Sequence, residues 1–140
     1  MTDAISIALS GLTAQKQRLS VTASNIANIS TNGPIPGGSA DNGSSTQQVY
    51  KPLETNQTSV AISGEGAGVL TTVQERNNPY LPIYSPDSDF ADSEGFIATP
   101  NIDIASEAVE LMLIKTAYKA NLATLKTANE MTKQLLDQLT

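Results

Sequence analysis

Apolar residues are gathered at the two ends of the chain in helical spacing and thinned out between them. From Thr2 to Ile29, the residues Ile5, Leu12, Leu19 and Ile26 recur every seven positions, Leu9, Ala23 and Ala27 widen the stripe, and no proline interrupts it. A seven-residue period predicts a helix seated against another as in a coiled coil, roughly 40 Å long at 1.5 Å per residue. Gly11, Gln15 and Lys16 weaken that seam. Thr31-Asn32-Gly33-Pro34 supplies the stop, a glycine able to turn left-handed before a proline that cannot continue the helix. The last forty residues, from Asn101, contain neither Gly nor Pro and predict a second long helix. There Ile104, Ala108, Leu111, Tyr118, Leu122 and Leu125 keep coiled-coil spacing, and Met131, Leu135, Leu136 and Leu139 continue the apolar surface. Asp103, Glu107 and Glu110 precede Lys115, Lys119, Lys126 and Lys133, the order a helix dipole favours.

The middle lacks such stripes. Residues 33–57, beginning "GPIPGGSADNGSSTQQ", offer little to bury and read as a flexible loop. Residues 58–100 hold two β-branched runs, 58–63 and 68–76, that predict a small hairpin with Val60 and Ile62 facing Val69 and Val73. A Pro-rich acidic stretch follows, extended and pinned onto helices by Tyr80, Tyr84, Phe90 and Phe96. The expected fold is mainly α: an N-terminal helix over 1–32 pairs with a C-terminal helix over 101–140 as an antiparallel coiled coil, and the middle is loop-rich. Such a pair leaves apolar surface over. The tail "RLSVTASNIANISTNG" (18–33), rich in the weak helix formers Ser, Thr and Asn, needs support from outside itself, which packing against other chains would provide.

Composition narrows the function. Only 39% of the 140 residues are apolar and Trp is absent, so the core must be thin. A formal net charge of −6 with scattered basic residues argues against nucleic-acid binding. With no Cys, disulfides and thiolate chemistry are excluded. No apolar run reaches the length of a membrane span, and the first residues lack the basic region of a cleaved signal.

The candidate chemistry is sparse. Asp87, Asp89, Asp92 and Glu94 invite a calcium site, but the spacing is not that of an EF-hand. Without His or Cys, little could tune these carboxylates for acid–base catalysis, so no enzyme, cofactor or small-molecule substrate is expected. "GEGAG" (64–68) lacks the Lys of a phosphate loop and reads as a hairpin reversal. Asn25, Asn28 and Asn121 either lie on exposed surface or a helix end, or use their amides to set the register of packed helices.

"SGLTAQKQRLSVTASNIANISTNG" resembles the amino-terminal signature of the bacterial flagellar rod and hook axial proteins, and "NIDIASEAVELMLIKTAYKANLATLKTANEMTKQLL" resembles their carboxy-terminal helix. "PYLPIYSPDSDFADSEGFIATPNIDIASEAVELM" is similar to proximal-rod members in particular, as is the short length. Two departures stand out: Pro34 after Gly33, where the family commonly has an aromatic, and "GGSADNGSS", which looks like an insertion before "VYKPLE". The resemblance implies a structural subunit, exported unfolded through the flagellar type III apparatus. It would polymerise through its terminal helices into the periplasmic rod, a hollow drive shaft transmitting torque around the export channel. Its implied partners are further copies of itself, other rod proteins, and the base of the rod near the MS ring and export gate. The implied subunit contacts are Leu12, Leu19, Asn25, Ile26 and Asn28 on the first helix, and Leu111, Tyr118, Asn121, Leu125 and Leu135 on the last. The alternative is a secreted acidic module that binds calcium or another ligand.

Overall fold

A computed structural model describes residues 2–37, 48–62 and 64–139. Helix α1 (Thr2–Ala27) is followed by strands β1 (Leu53–Ile62) and β2 (Glu65–Glu75), then β3 (Tyr80–Tyr84) and β4 (Phe96–Pro100), and the chain ends in helix α2 (Ile104–Leu139). The strands form two separate antiparallel pairs, β1 with β2 and β3 with β4. Two long terminal helices and a β-containing middle are as expected. Of the loop expected over 33–57, residues 38–47 lie outside the described residues, and its last residues, from Leu53, belong to β1.

The helices meet on an unexpected side of α1. Asn25 touches Glu107, Arg18 touches Glu110, and Gly11 lies against Asn121, so numbers fall along α1 as they rise along α2. The buried residues of α1 are Ala8, Gly11, Ala14, Gln15, Val21, Thr22 and Asn25, whereas Leu9 and Leu19 are 55% and 46% exposed. The contacts at 11, 18 and 25 stand one residue, about 100° around the helix, from the stripe at 12, 19 and 26. Gly11 and Gln15, expected to weaken a seam, are the seam. A Cβ on Gly11 would stand 2.8 Å from the Asn121 amide, so small residues let the backbones approach where leucines would hold them apart. The core is thin, as composition requires: its buried apolar residues are Ala8, Ala14, Val21, Val49, Ile97, Ala98, Ile114 and Ala128.

The β1–β2 hairpin lies over α1. Gly68 (φ 119°) comes so close to Ser10 that a side chain there would collide, and the Val69 amide donates to Ser10 Oγ at 3.2 Å. Its turn is at Gly64 (φ 85°), with an irregularity at Val60/Ala61. The register corrects the expected facing pairs, since Val60 stands opposite Gly68, Ser59 opposite Val69 and Thr55 opposite Val73.

The stretch expected to cross the helices as an extended segment is instead largely the β3–β4 hairpin. Pro82 and Pro100 fit because each strand of a two-stranded sheet is an edge, where a missing amide donor is tolerated. Tyr84 packs edge-on against Phe96, ring centroids 5.4 Å apart, so this aromatic pins one strand to the other and not to a helix. Gly33 also differs from expectation. Its φ is not positive; it bridges Ala98 through two backbone hydrogen bonds of 3.1 and 2.9 Å, and a Cβ would meet the Val49 backbone at 2.9 Å.

Candidate assembly surface

Where the two helices and the first hairpin converge, a buried polar cluster is built around Asn25. Asn25 Nδ2 donates to the Leu53 carbonyl (2.9 Å) and to Glu107 Oε1 (3.2 Å), while Oδ1 accepts from the Tyr50 hydroxyl and the Leu53 amide (both 3.0 Å). An amide has two donors and two acceptor lone pairs, so the side chain, 0% exposed, is fully satisfied. Glu107, 1% exposed, also accepts from Arg76 Nη2 at the end of β2. Its Oε2 is buried with no hydrogen-bond partner among the described residues, so the guanidinium is what compensates the carboxylate. Burial, then the Glu107 charge, holds the Tyr50 hydroxyl above its ordinary pKa, with Arg76 opposing. The Arg76 amide donates to Pro52 O at 2.8 Å and ties the base of the hairpin to the same point.

This cluster supplies much of the support that the polar tail of α1 requires, and from within the chain. Asn25 is thus a packing residue. Asn28 is a local one, donating to Ser24 O at 2.8 Å as the helix ends. Farther along, Arg18 reaches Glu110 Oε1 through Nε (2.8 Å) and Nη2 (2.5 Å) and donates to Gln15 through Nη1. Sequence reasoning missed Glu107, Arg76, Tyr50 and Arg18. For Glu107 a signal existed: it stands seven residues before Ile114 and fourteen before Asn121, in line with the inward face of α2. Nothing local marks Arg76 or Tyr50, whose role arises from the hairpin crossing α1.

The remaining expected contact residues divide by exposure. Leu12, Ile26, Leu111, Asn121 and Leu125 are half-buried within the chain, whereas Leu19, Tyr118 (43%) and Leu135 (45%) are exposed. Leu9, Met112, Leu113 and Leu122 extend the uncovered apolar surface of both helices, more than isolated apolar residues on a monomer account for. The acidic turn offers no comparable site. Asp92 Oδ1 accepts from the Glu94 and Phe96 amides, at 3.0 and 2.8 Å, and among the described residues no cluster of three or more acidic, His or Cys residues is placed to hold a metal ion. Among the described residues, no helix is long and apolar enough to cross a membrane.

Comparison with known proteins falls on the same elements. Residues 5–34, α1 and the turn to Gly33, match the family model described as flagella basal body rod protein. Residues 93–139, β4 and α2, match that described as flagellar basal body rod FlgEFG protein C-terminal. The chain is 35% identical over 128 residues to the flagellar basal-body rod protein FlgC of Escherichia coli O6:H1, covering 89% of this chain and 87% of that protein. It is 33% identical to FlgC of Salmonella typhimurium over the same shares. With FlgC of Bacillus subtilis it shares 26% identity over 142 residues, 95% of this chain and 94% of the relative. The calcium-module alternative finds no support among these relatives, and the chain belongs to the FlgC family of flagellar basal-body rod proteins.

Proposed function

We propose that the chain is a structural, non-enzymatic subunit of the proximal rod, polymerising through its terminal helices into the hollow shaft that transmits torque and surrounds the export channel. The observation that carries this is the uncovered apolar surface on both helices, with Leu19, Tyr118 and Leu135 among its exposed residues. Burying side chains of this size is worth about 1.5–3 kcal/mol each, a gain left for contacts with neighbours. Leu12, Leu19, Asn25, Ile26 and Asn28, with Leu111, Tyr118, Asn121, Leu125 and Leu135, then act within and between subunits. The partners are further copies and other rod proteins, and the base of the rod by the MS ring and export gate is where the proximal position puts it.

Within each subunit the helices pair as an antiparallel coiled coil. Contacts at 11, 18 and 25 on α1, seven residues apart and meeting α2 in reverse order, support that geometry. Deleting the gene and purifying basal bodies tests the function. Loss of rods and swimming, restored by the full chain, which is then recovered in the basal body, is expected. Normal flagella without the chain would overturn it.

A further inference from the structure

Along one side of α1, Leu9, Ser10, Thr13 and Gln17 form an open groove of about 390 Å³ with Val69 and Leu70 of β2. Leu9 and Leu70 are each more than half exposed. The last turns of α2 expose Met131 and Leu135, which lie four residues apart and therefore on one helix face. With Gly11 against Asn121 and the helices running oppositely, Thr2 stands roughly level with residue 130, since both helices rise 1.5 Å per residue. Past that level α2 runs on to Leu139, beyond the point where α1 begins. With neither Gly nor Pro between Ile104 and Leu139 to kink it, α2 cannot double back into the groove of its own chain.

We infer that the end of α2, from Met131 onward, docks into the α1–β2 groove of a second copy of this chain, with Met131 and Leu135 as its anchors. The inference rests on the polymerisation proposed above and names the contact that performs it. Length fits: from Leu9 to Gln17 the groove runs about 12 Å along α1, and the two anchors are about 6 Å apart. Charge fits as well. The last turn of α2 holds no basic residue of its own at the negative end of its dipole. Lys16, between groove residues Thr13 and Gln17 in sequence, is exposed and takes part in none of the ion pairs among the described residues. In the rod the anchor of each copy enters the groove of a different neighbour from the one that fills its own groove, so the contact is heterologous. It propagates head to tail, into a ring or an open helical array, where a self-complementary patch would close as a dimer.

The test places the photocrosslinking residue p-benzoylphenylalanine at Leu70 of the full chain, illuminates purified basal bodies, and maps the product by mass spectrometry. A product of two copies of the chain, joined to the segment after Lys126, is expected, and the probe at Leu135 should return residues 9–17 or 69–71. Should the probe keep the chain out of rods, Leu70→Cys with Leu135→Cys, in a chain without cysteine of its own, gives the same readout as a disulfide-linked dimer. Crosslinks to a different rod protein, to another part of the second copy, or none in rods that contain the chain would overturn the inference and leave the rod function standing. Absence of the unmodified chain from basal bodies would instead remove the function on which it rests.

Discussion

Asn25 spends all its hydrogen-bonding capacity inside the molecule, on Leu53, Tyr50 and Glu107. Asn25→Ala therefore strands the Leu53 backbone groups in a buried site, at about 1–3 kcal/mol for each group left unpaired. Asn25→Asp keeps the shape but sets a second carboxylate against Glu107, with one guanidinium to serve both, so it should destabilise more than the alanine. Thermal melts of the full chain followed by circular dichroism check the order: wild type, then Ala, then Asp. An aspartate variant as stable as wild type would mean that the two carboxyl groups do not oppose each other there. Gly11 gives a second case. Gly11→Ala improves helix propensity by about 1 kcal/mol, yet its methyl meets the Asn121 side chain, and the clash should outweigh that gain. Adding Asn121→Ala removes the obstructing amide, so the double variant should melt above Gly11→Ala alone; equal melting of the two would place the cost elsewhere. These residues also show the limit of sequence. Asn25 and Asn121 could be picked out because Asn is costly within a helix unless its amide is used. Gly11 and Gln15 misled because small and polar residues read as defects in an apolar seam, when closeness of the backbones is what that seam requires.

At the scale of elements, helix existence was legible and helix facing was not. Two uninterrupted, periodic segments fix α1 and α2 to within a few residues of their ends. The stripe at 5, 12, 19 and 26 is real, but the chain covers it only in part, with Ile5, Leu12 and Ile26 half-buried and Leu19 exposed, so periodicity alone could not tell an internal seam from an external one. The β3–β4 pair was missed because its prolines argue against a central strand and say nothing against two edges. The start of α2 carries its own titratable cap. Asp103 accepts from the Ser106 hydroxyl and from the Ser106 and Ala105 amides, which holds its pKa below the usual carboxylate value. A depressed folded pKa stabilises the folded form above the unfolded value and loses that contribution as pH falls through the folded value. Helical signal at Ala105 and Ser106, followed by NMR chemical shifts, should therefore weaken as Asp103 protonates. In Asp103→Asn, which caps without ionising, that acid step should vanish; its persistence would assign the change to another carboxylate.

The whole molecule is a helical pair with one hairpin laid along α1 and a second joined to the turn after it, a core mostly of alanine and valine, and many of its larger apolar residues facing out. Such an arrangement is poorly matched to life as a monomer and well matched to a tube, where each helix gains its missing neighbours. The polar cluster at Asn25 and Glu107 fixes the geometry within a subunit, while the apolar faces leave the joining of subunits to the assembly. The most direct measurement is electron cryomicroscopy of isolated basal bodies at a resolution that places side chains. Leu19, Tyr118 and Leu135 should be found buried between subunits, with Asn25 still bonded to Leu53 and Glu107 inside each one. If those three side chains face solvent in the rod and the subunits join only through the two hairpins, the helices are not what builds the shaft.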